Sequence, residues 1–455
     1  MGIIPEDTII RFSMNGPIRT NLFLDPRKLI DPESRRQLLP DLESNLARNG
    51  KWRWACCFGE QRESGLDRAT DTRRGTTIKP PYVVEALVED KGCLKEIERG
   101  LLARAGKRGA ESAGMIQKIS LQSMSVRFFD FGYATFLADF DLHRLPTANL
   151  TLGSLREGVE ILADGINAVW PIFECMISQL GKASGEDLIK QSTSDKIRVK
   201  SAGVAWVHRV FGLQFSDAGR LAEACGRVGD LILTSSQESL DSERESMQEN
   251  SHIYVSTGNS AALFCGATGE NPWESFFTLS EMIQMQNAFF AAAEDLEDDL
   301  FLMTSDVSLN KDMITRNSGI RHMEKEIIDE FSRSIVVLLE EGILFKSAFL
   351  DYGNHLNPRE VKIWKRIWER WGTKEKFDHI DEKSDALRVI YDRIITIIDQ
   401  DKAKFLNRFA LWFTLAGGVS AMIDVISFIF NFQWPSAVPI LLLFGILAIW
   451  TLRRS

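Results

Sequence analysis

One ionisable residue interrupts an otherwise apolar stretch near the C-terminal end of the chain. Residues 409–432, FALWFTLAGGVSAMIDVISFIFNF, contain Asp424 as their single charge. A carboxylate in such a stretch is costly in hydrocarbon, so it faces a bundle interior or a water-filled path. Thr414, Gly417, Ala421, Asp424, Phe428 and Asn431 continue a series from Ala410 at spacings of three and four, with Ser420 and Ser427 beside it. That spacing is one helix face, and here it is mostly small or polar. The opposite face carries Leu415, Val419, Met422, Ile426 and Ile429. Small residues let helices pack closely. Asp424 lies about 12 Å below the outer end of the stretch at the helical rise. In a symmetric oligomer it would repeat as a carboxylate ring, a device that selects cations. The same pattern fits a structural bundle in which Asp424 is neutralised or paired. A single hairpin cannot enclose a path, so conduction requires self-association.

The elements that must position this stripe are legible around it. Twenty-four helical residues cover about 36 Å, enough for a hydrocarbon core of about 30 Å. A short polar break with a proline, QWPS at 433–436, precedes a second apolar run at 437–452. Lys402, Lys404 and Arg408 flank the first run, Arg453 and Arg454 follow the second, and the break has no basic residue. The positive-inside rule then puts both flanks in the cytoplasm. The expectation is a multi-pass protein of the inner (plasma) membrane, with both ends cytoplasmic and the lipid bilayer as a partner. Residues 381–408 lack Gly and Pro and set Leu387, Ile390, Ile394, Ile397 and Ile398 at helical spacing. They predict an amphipathic stalk that runs into the first span. Upstream, 359–371 predicts a helix with Ile363, Trp364, Ile367, Trp368 and Trp371 on one side, packed on its neighbours or lying at a membrane surface, and ended by Gly372. Helices are also expected at 280–303, capped by Ser280, and at 322–349. The first of these carries Glu294, Asp295, Glu297, Asp298 and Asp299. Glu294, Asp295, Asp298 and Asp299 are weak candidates for a divalent-cation sensor, because hard cations need converging oxygens and a solvated helix face explains the run as well.

The first 270 residues read as mixed α and β. Strands are expected at 8–12, 52–58, 82–88, 126–129, 135–140, 204–211, 231–234, 252–255 and 261–264, with a turn at Phe131-Gly132-Tyr133. One helix is expected at 155–180, with Ser154 and Glu157 as its capping box and interruptions at Gly165 and Pro171. Polar stretches at 60–81, 105–114, 184–200 and 235–251 read as loops. No Gly-rich phosphate loop, G-x-S-x-G or H-E-x-x-H occurs. Asp130, Asp139 and Asp141 are carboxylates on or near paired strands and Arg73-Arg74 is a basic pair, but neither set comes with a catalytic partner. The expectation is therefore a protein that is not an enzyme. A net charge of −9 disfavours nucleic acid as a partner. Six scattered cysteines without a C-x-x-C pair fit reduced cytosolic thiols. The fold class is thus an α+β cytoplasmic domain (1–270), a helical region and stalk (271–408) and a two-helix transmembrane hairpin (409–455).

This plan resembles the CorA-like family of magnesium and other divalent-cation transporters: a cytoplasmic α/β domain, a continuous stalk into the first span, a short outer turn, and a second span with a basic tail, here Arg453-Arg454. The resemblance implies a homo-pentamer whose first span lines the pore, with a divalent cation such as Mg2+ as cargo or regulator. The family carries Gly-Met-Asn at the outer turn. The corresponding stretch is Ile429-Phe430-Asn431-Phe432, in which Asn431 matches and Ile429 and Phe430 replace Gly and Met. The pore-lining set implied is Thr414, Gly417, Ser420, Ala421, Asp424, Ser427, Phe428 and Asn431. CorA-like proteins without the full signature also occur as effectors beside CRISPR type III systems. The resemblance therefore leaves open a second expectation, a membrane effector of prokaryotic defence gated by a small nucleotide second messenger.

Overall fold

The computed structural model describes residues 4–23, 52–56, 83–105, 119–142, 150–188, 202–233, 244–248, 251–265, 273–316 and 356–430, most of 333–353, five residues of 41–46, and Gly445. The chain divides into two units, Met1–Leu296 with Leu344–Asp378, and Glu297–Ile343 with His379–Ser455. The 271–408 segment contributes to both.

The first unit is built on a ten-stranded sheet of order β2-β3-β4-β5-β1-β7-β10-β9-β8, with β6 paired to the end of β1. The strands are β1 Ile9–Phe23, β2 Arg53–Cys56, β3 Val84–Val88, β4 Ile119–Phe128, β5 Phe131–Leu142, β6 Gly203–Val204, β7 His208–Phe215, β8 Arg244–Gln248, β9 Ser251–Val255 and β10 Asn259–Cys265. All described pairings are antiparallel except β7 with β10. A parallel pair needs a crossover. Helices α4 (Ala218–Gly226) and α5 (Gly229–Ile232) and strands β8 and β9 lie along it.

Strand alternation explains the layers. Successive side chains point to opposite faces of a sheet. In β1 the even positions Ile10, Phe12, Met14 and Ile18 join an apolar layer with Phe136 and Phe140 of β5. Phe12 stacks on Phe140 at 4.8 Å. This face is covered by α1 (Lys91–Ala105), α2 (Leu152–Ala163) and α3 (Trp170–Leu188), which contribute Ile97, Leu155, Val159, Phe173 and Met176. Among the described residues, Leu152–Gly185 is apolar and long enough to cross a membrane. Its apolar side is instead spent on the sheet, and a short 3-10 turn, Ile166–Val169, breaks it. The helix expected at 155–180 is interrupted at Gly165, as expected, and so forms two helices; its capping box is Thr151 with Ser154, not Ser154 with Glu157. Pro171 does not interrupt a helix but stands in the first turn of α3, where its missing N–H costs nothing.

Of the odd positions of β1, Ser13, Asn15 and Arg19 meet helix α6 (Glu274–Arg316), and Arg11 lies over Trp273 just before it. This helix begins six residues before the expected Ser280 cap; Ser280 is interior and its hydroxyl lies 2.9 Å from that of Ser13. Farther along, Phe289 packs against Phe131, Phe345, Phe349 and Trp364. Helix α7 (Pro358–Arg370) has Asn357 and Glu360 as its capping box and buries Ile363, Trp364 and Ile367, so it is packed, as one of its two readings required. Gly372, at φ +64°, ends it, a conformation that costs glycine little.

Other differences follow from local chemistry. Residues 231–232 belong to α5 and not to a strand. The polar stretch at 235–251 contains β8, an edge strand, where no buried face is required. Helical residues are described at 333–353; the rest of 322–349, the basic pair Arg73-Arg74, residues 433–436 and, apart from helical Gly445, the second apolar run lie outside the described residues.

In the second unit, the C-terminal part of α6 packs with the stalk. Leu300, Met303, Ile335, Leu338, Ile380 and Leu387 are buried. The stalk belongs to α8, Thr373–Phe430, a helix of 58 residues. At the helical rise it is about 87 Å long. It starts eight residues earlier than expected and runs, as expected, without a break into the 409–432 stretch.

Candidate functional site

The backbone of α8 carries seven of the eight residues of the small and polar stripe: Thr414, Gly417, Ser420, Ala421, Asp424, Ser427 and Phe428. Asn431 lies just beyond the described residues. The Thr414 hydroxyl donates to the Ala410 carbonyl at 2.8 Å, which satisfies it within its own helix. Among the described residues, a Cβ placed on Gly417 or Gly418 would meet nothing within 4 Å. Leu406, Phe409, Leu411 and Leu415 are exposed on the same helix.

The acidic run on α6 does not gather into one site. Asp295 accepts two hydrogen bonds from Arg19, at 2.7 and 3.0 Å, and a short one from the Tyr133 hydroxyl. Burial, with Asp295 alongside, pushes the Tyr133 phenol well above its ordinary range. Glu294 pairs with Lys376 at 3.3 Å, and within the second unit Glu297 pairs with Lys383 at 2.8 Å. Among the described residues no three His, Cys, Asp or Glu side chains converge as a metal would require.

A polar layer that the strand assignments only partly foreshadowed lies between α6 and the sheet. Register sets it up: Glu85 pairs with Arg127, Arg127 with Thr135, Ser123 with Asp139 and Arg11 with Asp141, across β3, β4, β5 and β1. Arg127 Nε donates to Glu85 at 2.9 Å, both side chains being about 5% exposed, and Arg127 Nη1 lies 3.1 Å from Glu281. Asn287 of α6 donates to Asn15 at 2.6 Å. His208 sits 3.0 Å from the Ser260 hydroxyl and packs on Trp371 at 5.2 Å. Burial, helped by neighbouring Arg209, pushes its imidazole down to about 3.

At one end of this layer is a cavity of about 180 Å³ lined by Arg11, Gln122, Ser123, Asp139, Asp141 and Phe276, with Phe140 and Phe277. Asp139 and Asp141, which the sequence places on or near paired strands without a catalytic partner, are brought together here. Arg11 Nε is 2.8 Å from Asp141. Asp139 Oδ2 accepts from the Ser123 hydroxyl at 2.9 Å. Burial, opposed by Ser123 and Arg11 and reinforced by Asp141, pushes the Asp139 carboxyl up to about 6. Asp130, the third of the sequence set, is in the β4–β5 turn and does not line this cavity. The signal in the sequence was polar alternation in two strands at once, Arg11-Ser13-Asn15 and Asp139-Asp141, opposite buried Ile10, Phe12, Ala138 and Phe140.

No protein-family model matches the chain, and no curated protein shows significant sequence similarity to it. The functional reading therefore rests on its own residues and geometry.

Proposed function

We propose that the chain is a homo-oligomeric membrane channel or transporter for cations, with residues 409–432 and 437–452 as a transmembrane hairpin, the stripe of α8 lining the path, and the sheet unit acting as its cytoplasmic gate. The observation that carries this reading is the continuity of α8. The helix whose first residues include Phe377, packed between Phe345 and Phe349 of the sheet unit, is the helix that reaches Asp424. An uninterrupted helix transmits a shift at one end to the other, because its length is fixed by its backbone hydrogen bonds. The exposed apolar residues from Leu406 to Leu415 support membrane insertion and self-association, since such a surface costs about 25 cal/mol per Å² when left in water. Asp424 supplies the cation preference and Asn431 a second polar ring. The CorA-like resemblance adds the expectation of a pentamer and a divalent ion.

The test is cation flux into proteoliposomes containing the full chain. Asp424→Ala and Asp424→Asn are expected to cut flux at least about tenfold, the cost of losing roughly 1.4 kcal/mol of ion stabilisation, with Asn431→Ala weaker. Flux equal to wild type in both Asp424 variants would remove the carboxylate ring from the mechanism.

A further inference from the structure

We infer that the cavity between β1, β4, β5 and the first turns of α6 is a binding site for a small organic ammonium ion, a short aliphatic amine held by Asp139. This site does not depend on whether the membrane segment conducts.

The charges around the cavity do not balance. Two carboxylates, Asp139 and Asp141, face one guanidinium, Arg11. Arg11 is committed to Asp141 at 2.8 Å and to the face of Trp273, its guanidinium carbon 4.5 Å from the ring centre. The uncompensated charge therefore falls on Asp139. That carboxylate is half served: Oδ2 has the Ser123 hydroxyl, while Oδ1 is shut off from solvent and has no hydrogen-bond partner. A buried carboxylate oxygen without a donor is costly, and the cost is relieved by a donor carrying positive charge.

A second feature aims at the same place. Strand β4 slips register against β5 between Leu121 and Ser123, so Gln122 is an extra residue in the ladder. Leu121 stays in the apolar layer and Ser123 pairs with Asp139. The bulge puts Gln122 on the cavity wall next to Ser123. Bulges cluster where a strand must re-aim a side chain beside a site.

The lining selects the chemical class. An anion would meet two carboxylates. A divalent metal needs several converging oxygens, whereas Asp141 is occupied by Arg11, whose charge also opposes a second dication nearby. A fully apolar ligand would leave Asp139 Oδ1 unpaired. A primary ammonium in the cavity pairs with the Asp139 carboxylate, reaching Oδ1 by a small rotation of that side chain, and Phe276 and Phe277 are in the wall beside its alkyl part. The volume corresponds to about six waters at their liquid share, room for an amine of a few carbon atoms.

The charged groups around Asp139 are Arg11 on β1, Asp141 on its own strand and Arg127 on β4; on α6, Glu281 is turned to Arg127 and Glu274 to Arg359. A proton thus competes with the ammonium for Asp139. Calorimetric titration of the full chain in detergent with propylamine, ethanolamine and 1,4-diaminobutane hydrochlorides, against sodium chloride and magnesium chloride at equal ionic strength, tests the site. Saturable binding of at least one amine is expected, weakening about tenfold per pH unit below about 6. Asp139→Asn, nearly isosteric, is expected to lose at least tenfold in affinity. Should that variant fail to fold, the pH profile of the wild-type chain decides alone. No saturable amine binding, binding independent of pH between 5 and 7, or binding retained in Asp139→Asn overturns the site. Magnesium binding that depends on Asp139, with no amine response, overturns the ligand class.

Discussion

The two faces of the central sheet are made from the same strands and work by different physics. On the face covered by α1–α3, the even residues of β1 and β5 bury rings and aliphatic chains against Leu155, Val159 and Phe173. These contacts are non-directional and tolerate small shifts. On the face covered by α6, each buried group requires a particular partner: Ser13 with Ser280, Asn15 with Asn287, Arg127 with Glu85, Arg19 with Asp295. That matching is incomplete. Asn15 Nδ2, Thr135 Oγ1, Gln284 Oε1 and both amide atoms of Gln286 are buried without a protein partner. Each polar group buried without a partner costs about 1–3 kcal/mol and offsets part of what the matched pairs contribute. The apolar face therefore holds the sheet unit folded, while the polar face sets where α6 lies.

The comparison breaks most visibly at Arg127. Arg127→Ala leaves Glu85 buried and unpaired, and is expected to destabilise by about 3–5 kcal/mol. The double variant Glu85→Leu/Arg127→Leu is expected to recover most of that loss, because the pair is offset by its own desolvation. Denaturant midpoints followed by tryptophan fluorescence measure both. A double variant as unstable as the single would show that the polar face stabilises in its own right. On the opposite face, Leu155→Ala is expected to cost about 2–5 kcal/mol through lost burial and the cavity left behind. There, no second substitution at a neighbouring polar group should rescue it.

Much of this arrangement was legible in the sequence, and the reasons are local. The stalk and the 409–432 stretch read as one helix because 381–432 contains no proline and its only glycines are the adjacent Gly417 and Gly418, and α8 is continuous to Phe430. Gly372 announced the end of α7 because a bulky apolar helix met a glycine, and its φ of +64° is the conformation that residue type serves. β1 was underestimated: only 8–12 was expected, and the strand runs to Phe23, because Asn15-Gly16-Pro17 reads as a turn. Gly16 is needed there for a different reason, since a Cβ would lie 2.1 Å from the Trp206 carbonyl. The cavity was not legible because Arg11, Ser123 and Asp139 become neighbours only through strand order, β1 beside β5 beside β4. Single-strand alternation gives the face on which a residue lies and not the strand that lies next to it.

The finest difference between the faces is their response to pH, since the polar one holds His208 and Asp139, both shifted far from their ordinary values. His208 is held down to about 3 in the folded chain, whereas an unfolded histidine takes up its proton near about 6.5. Between those values the unfolded state binds more protons, so the His208 contribution to stability is lost as pH falls. Asp139 behaves in the opposite sense. Its folded carboxyl titrates at about 6 against an ordinary value of 3.8, so the folded state binds the extra proton and stability falls as pH rises through that window. Asp139→Asn is therefore expected to be more stable than wild type at pH 7.5, with the advantage shrinking towards pH 4. His208→Gln, which retains an amide to meet Ser260, should flatten the acid limb below pH 6.5. Leu155→Ala should lower the denaturant midpoint by a similar amount across the whole range. A pH-independent gap between Asp139→Asn and wild type would mean that Asp139 is ionised in both states, and that the cavity is wetter than its buried carboxylate oxygen implies.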